Sequence, residues 1–158
     1  MNETTKELLK IVTGVEGELE GAYNVREDGG CAARNSTQNI KIEAKTDKSG
    51  IDITVAPGTR EAVFIPAFVT HGDVTDLVYN DFFIGEGADI TIIAGCGVHS
   101  DDQGDAVHNG IHRFFIGKDA KVVYVEKHVG TGTGSGKRII NPVTEVEIGE
   151  NGYMEMDT

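Results

Sequence analysis

The chain has 158 residues, 26 acidic against 14 basic, and a formal charge of −12. That length suits one domain with a real core and is short for two, and the acidic excess argues against a nucleic-acid groove or a face for anionic membranes. Nothing in it resembles a signal peptide or an apolar run of spanning length, so a soluble, cytoplasmic protein is expected; Cys31 and Cys96 are too few for a disulfide framework and fit a reducing compartment.

Thr4-Thr5-Lys6-Glu7 ahead of Leu8, Leu9, Ile11 and Val12 forms a capping box, which predicts a short amphipathic helix ended by Gly14 and placed as a cap on the fold. Residues 14 to 37 lack a clear period and are expected to hold turns and a short strand around Ala22 to Arg26. From Asn39 the pattern alternates, with Ile40 and Ile42, then Ile51, Ile53 and Val55 after the turn Asp47 to Gly50. Pro57-Gly58 marks the next turn. Ala62 to Pro66 follows in roughly the place that Ile90 to Ala94 holds in the next copy of a repeat, at a spacing about three residues shorter.

That repeat runs through the rest of the chain. Ile84-Gly85, Ile116-Gly117 and Ile148-Gly149 recur at a fixed interval of about 32 residues, each between two β-rich arms. A fixed period of this length marks stacked units, and each copy reads as one coil of a parallel β-helix. Stacked coils put residues one period apart over one another at about 4.8 Å, and strand side chains alternate faces. The inward columns then read Phe82, Phe114, Val146; Ile84, Ile116, Ile148; Ile90, Val122, Met154; and Ile92, Tyr124, Met156. The intervening positions give two charge ladders of alternating sign, Asp81, Arg113, Glu145 and Glu86, Lys118, Glu150, as neighbouring strands favour. Two longer connections interrupt the later coils: Gly97 to Asn109, acidic and His-bearing, and Val129 to Arg138, rich in Gly and Thr.

Loops that protrude from a regular scaffold are where function is usually carried. Gly130 to Arg138 fails as a phosphate loop, because a Walker loop needs Gly where Thr131 stands and Ser or Thr where Arg138 stands; it reads as a flexible surface loop. Cys96, His99, His108, His112 and His128 are ligand types for zinc and iron–sulfur clusters. The register sets Cys96 against His128 and Ala94 against Glu126, so Cys96, Glu126 and His128 should converge on adjacent strands. The plainer reading is a half-buried thiol among hydrogen-bonded imidazoles. Asp101, Asp102 and Asp105 could hold calcium but lack the donor spacing of a known loop. No motif marks a nucleophilic triad or a carboxylate pair, so no enzyme is expected and the residues alone leave a soluble β-helix with a Cys/His loop; a β-helix enzyme acting on sugars or acyl groups would need a cleft with paired carboxylates.

Five segments, Val78 to Phe82, Ile93 to His99, His108 to His112, Tyr124 to His128 and Asn141 to Thr144, together resemble the SufB/SufD family of iron–sulfur cluster assembly proteins. The likeness is greatest to shorter SufD-like members, often labelled permease components of ABC transporters. The resemblance implies a mainly β chain folded as a flattened, right-handed parallel β-helix of about 32 residues per coil, with a short N-terminal helix. It also implies a dimeric scaffold, a SufC-type ATPase of the ABC class, a second SufB/SufD-type subunit or another copy of the chain as partners, and a transient iron–sulfur cluster as cargo. Cys96 matches the Gly-Cys position of the sulfur-handling route, with Glu126 and His128 as cofactor-binding neighbours and His108, His112 and His99 as metal-ligating candidates. SufB members carry Gln-Asn-Trp where this chain has Glu126-Lys127-His128. Family chains are usually about twice this long, so the expectation is a single domain, 1–158, with an N-terminal helix and irregular cap over 1–37 and coils over 38–158 that stop inside the third copy. The open last coil is expected to self-associate through Tyr153 to Met156. A structural or interaction module that binds no metal is the competing expectation.

Overall fold

The computed structural model describes residues 1–158. A helix, α1 (Glu3–Thr13), precedes eleven strands: β1 (Ala22–Glu27), β2 (Gly30–Asn35), β3 (Ile40–Ala44), β4 (Gly50–Val55), β5 (Ala62–Val69), β6 (Val74–Ile84), β7 (Asp89–His99), β8 (Ala106–Ile116), β9 (Lys121–Thr131), β10 (Arg138–Ile148) and β11 (Tyr153–Asp157). They form two sheets, one in the order β11-β9-β7-β5-β1-β2 and the other β10-β8-β6-β4-β3. Each coil gives one strand to each sheet, crosses between them at the Ile-Gly turn, and returns by a loop at the opposite edge. The chain is a parallel β-helix.

The period sets the pairing. Ile84, Ile116 and Ile148 are ladder partners, as are Asp89, Lys121 and Ile92, Tyr124, Met156, each following its partner by one full period. The first coil is shorter: Val55 pairs with Ile84 and Val69 with Val98. The shortfall lies wholly in the loop edge, where residues 70–73 join Val69 to Val74 and 99–105 join their partners Val98 and Ala106. Ala62 to Pro66 sits on Thr91 to Gly95, one position beyond the alignment read from sequence.

Two hairpins finish the other end of the stack. β1 lies parallel to β5 and β2 folds back antiparallel on β1, while β3 is antiparallel to β4. Sequence reading finds β1 and passes over β2. Its alternation is weak, and the signal it does carry is Asp28-Gly29, with φ of 47° and 84°, a pair suited to a two-residue hairpin turn.

The helix is a correction in two respects. Its N-cap is Asn2, whose Oδ1 accepts from Thr5 N at 2.8 Å, so the Thr4 capping box does not form; Gly14 ends it in the left-handed conformation, as expected. It also lies along the outer flank of the first sheet and not over the end of the stack: Leu8, Leu9 and Val12 pack with Val25 and Phe68. Two glycines make room for it. A Cβ on Gly95 would stand 2.6 Å from Val12 Cγ1, and one on Gly97 3.0 Å from Leu8 Cδ1.

Inside, the expected apolar columns close into one core. Phe82 and Phe114 stack with centroids 4.5 Å apart, and Ile84, Ile116, Ile90, Val122, Ile92 and Tyr124 are buried around them. On the last coil Val146, Ile148 and Met156 are exposed. Outside, Arg113 donates twice to Asp81, both at 2.7 Å, and Lys45 donates once at 2.7 Å. Those partners bury Asp81, which the sequence placed on an exposed ladder. Glu86, Lys118 and Glu150 stack through their backbones, with Gly87 N to Lys118 O and Asp119 N to Glu150 O both 2.9 Å.

The Gly-rich connection is also corrected. β9 runs to Thr131 and β10 starts at Arg138, leaving residues 132–137 stacked on 100–105. Gly134 N and Gly136 N donate to Ser100 O and Asp102 O, both at 3.1 Å, so this is an ordered rung and not a flexible loop. Arg138 fills its middle, donating to the carbonyls of Thr131, Ser100, Gly132, Gly134 and Gly136 at 2.8–3.1 Å. The aspartates considered for calcium hold the same rungs together: Asp101 accepts from Thr133 N, Asp102 from Gly104 N and Asp105 from Lys137 N.

Candidate functional site

The alternation that turns Phe82 and Phe114 inward also turns inward every second residue toward the loop edge. These are Asp76 and Asn80 on β6, Cys96 on β7, His108 and His112 on β8, and Glu126 and His128 on β9. A polar band thus interrupts the apolar interior of β6 to β9, and beyond it at the loop edge Val69, Val98 and Ala106 form a small apolar cluster.

Cys96 and His128 are ladder partners, and so are Ala94 and Glu126. Cys96 Sγ lies 3.3 Å from His128 Nδ1, and His128 Nε2 lies 3.3 Å from Glu126 Oε2. The imidazole therefore stands between a thiol and a carboxylate. One tautomer satisfies both contacts, with the thiol donating to Nδ1 and Nε2–H donating to Glu126. Burial, reinforced by the Glu126 charge, pushes the Cys96 thiol up to about 12, so it is protonated at neutral pH. On the facing sheet, His112 Nδ1 lies 3.3 Å from the Tyr124 hydroxyl. Burial, with His108 and His128 nearby, lowers His112 to about 4 and leaves it neutral. Burial also moves the Tyr124 phenol upward, helped by Glu126.

One coil earlier, Asp76 accepts from Arg26 through Nε and Nη2 at 2.7–3.1 Å, and its Oδ2 lies 3.0 Å from His108 Nδ1. Burial alone would raise this carboxyl. The hydrogen bonds from His108 and Arg26 outweigh it and hold Asp76 at about 2. Cys96, His108, His112, Glu126 and His128 line one small cavity of about 20 Å³, with Ile140 and Pro142 of the last coil on its β10 side; β11 covers β9 only as far as Val125, and His128 is exposed. That is room for one water-sized body.

The fold thus brings together five of the six residues singled out from sequence. His99 is not among them: it has outer-face parity, and its ring bonds Thr131 Oγ1 and Asp101 Oδ2, each at 2.8 Å. No three of the His, Cys, Asp and Glu side chains are arranged to hold a metal ion. Sequence reading missed Asp76 and Arg26. Asp76 stands one period before its ladder partner His108, and the period alone could have found it, whereas Arg26 lies outside the repeat and carries no such signal.

Fold and lumen together define a class: a two-sheet parallel β-helix with a thiol–imidazole–carboxylate cluster inside it. No protein-family profile and no solved structure matches the chain. Two curated proteins do. A SufBD family iron–sulfur cluster assembly protein of Methanothermobacter thermautotrophicus strain Winter is 31% identical over 88 residues, 54% of this chain and 21% of the relative. A second SufBD family protein, from strain Delta H of the same organism, is 30% identical over 88 residues with the same coverage. The chain is SufB/SufD-like, and it spans about a fifth of the length of these relatives. No helix in it is long and apolar enough to cross a membrane.

Proposed function

We propose that the chain is a scaffold component of iron–sulfur cluster assembly, working beside a SufC-type ATPase and a second SufB/SufD-type subunit or another copy of itself, without enzymatic turnover of its own. The observation that carries this reading is the Cys96–His128–Glu126 contact, with the thiol buried and the imidazole exposed. The donor set suits sulfur or iron as cargo: a thiol that becomes a ligand once deprotonated, a base to take its proton, and a carboxylate to hold that base. With a persulfide donor, the Cys96 proton passes to His128. The thiolate then attacks the terminal sulfur, the donor's S–S bond breaks, and the donor leaves as its own thiolate. The cavity has room for about one atom of that size, and His128 is exposed beside it, so a cluster calls for further donors from another chain.

Anaerobic addition of ferrous iron and sulfide tests this, read by visible absorbance and by bound iron and sulfide. The parent chain, with its partner subunit, should gain cluster colour, and both Cys96→Ala and His128→Ala should lose it. Undiminished loading of Cys96→Ala removes the assignment. The small cavity and protonated thiol favour a second reading, an interaction module whose lumen is structural, and that reading gains if the folded chain takes up no iron, zinc or persulfide.

A further inference from the structure

Between α1 and the β1–β2 hairpin lies a second cavity, of about 540 Å³, which shares no residue with the lumen cluster. Leu9, Leu19, Tyr23, Val25 and Ala33 give it an apolar wall. Lys6 and Lys10, one helical turn apart, stand at the same cavity; Lys6 also pairs with Glu3 on the helix surface at 2.8 Å, and Glu18 is the carboxylate among the lining residues. In a chain of charge −12 the lining carries two lysines against one carboxylate, Glu18, and Lys10 is in no ion pair. The side of α1 opposite the cavity is fixed, because Leu8 and Val12 seat over Gly97 and Gly95 and Lys127 Nζ donates to Ile11 O at 3.1 Å. The α1 wall of the cavity is therefore held in place, and the cavity's volume lies within the usual range for small-molecule sites, about 300–1,000 Å³.

We infer that this cavity binds a small amphipathic carboxylate, its apolar body against Leu9, Leu19, Tyr23, Val25 and Ala33 and its acid group between Lys6 and Lys10. Aliphatic lysine stems can lie along the apolar wall while their ammonium groups reach the carboxylate. Neither the polar lumen nor a cluster cargo enters into this recognition.

Decanoate is the probe, titrated into the full chain and followed by backbone amide shifts, with decanol as the uncharged arm of the same apolar body. Saturable shifts are expected over residues 19–25 and 31–34, with decanol weaker than decanoate. Lys6→Gln combined with Lys10→Gln should weaken decanoate by about tenfold or more, and Ala33→Phe should fill the cavity and abolish binding. Circular dichroism establishes that each variant keeps the fold, since the lysines are exposed and Ala33 is only partly buried. Equal affinity for decanol, an unchanged affinity in the lysine variant, or shifts confined to the exposed edge at Val146, Ile148 and Met156 would each overturn the inference.

Discussion

The two halves of the lumen are built from the same strands in the same register and do opposite things. Toward the Ile-Gly turns, Phe82 on Phe114 and Ile84 on Ile116 form a dry stack. Toward the loops, the same inward positions hold Asp76, Cys96, His108, His112, Glu126 and His128. Burying charge and imidazole in place of leucine-like volume carries a desolvation penalty that only complete pairing offsets. The backbone repeat thus secures the fold with its apolar inner positions, Val69, Val98 and Ala106 at the loop edge among them, and leaves a band between for chemistry.

Substitutions can break that division at either end. Phe114→Ala should have the largest effect, about 3–5 kcal/mol lost in urea unfolding, because a fully buried ring stacked on Phe82 and edge-on to Tyr124 leaves a void that the stack cannot close. A loss below that of an ordinary surface change would mean the apolar half is not the stabilising one. Asp76→Ala comes next, at about 3–5 kcal/mol, because it strands the Arg26 guanidinium and the His108 ring inside the fold. Arg26→Met combined with Asp76→Leu should recover much of that loss, which a cavity effect alone would not allow.

The outer face supplies a smaller control. Arg113 beside Asp81, with Lys45 adding to it against a burial penalty, holds that carboxyl at about 2 in the folded chain against an ordinary 3.8. A lowered carboxylate contributes its stability above the unfolded value and loses it as pH falls toward the folded one. Acidification from pH 4 to pH 2 should therefore remove about 2 kcal/mol that Asp81→Asn does not lose over the same window. Arg113→Ala should have the smallest effect, about 1 kcal/mol, because its side chain is 40% exposed and Lys45 still meets the carboxylate. A loss as large as that of Asp76→Ala would erase the contrast between lumen and surface.

The later coils were legible because their information is periodic. Ile84, Ile116 and Ile148 fix the offset, and alternation then assigns every side chain to a face, including Cys96 against His128. What lay outside the period was lost. Arg26 reaches Asp76 from β1, whose pairing with β5 sets Arg26 on Ala67 and does not follow the period, and β2 pairs antiparallel where the rest is parallel. The helix was found by its amphipathic spacing, but its seat depends on the missing side chains of Gly95 and Gly97, and no pattern within α1 encodes that. Burial of Asp81 was invisible for a similar reason, since Lys45 arrives from a turn between β3 and β4.

The loop edge where the first coil gives up three residues has a consequence for how such a chain can change length. A single residue added within a strand reverses every inward and outward side chain beyond it. At the loops the chain has already absorbed a three-residue difference with the flanking ladders intact. A whole duplicated coil, joined from Gly85 to Gly117, is equally harmless to alternation. It raises the tower by one storey, about 4.8 Å, with Phe again on Phe, at the cost of one Arg113 stacked on another in the outer ladder. Growth by complete storeys, with adjustment reserved for the landings, is the arithmetic under which this molecule can be lengthened without being redesigned.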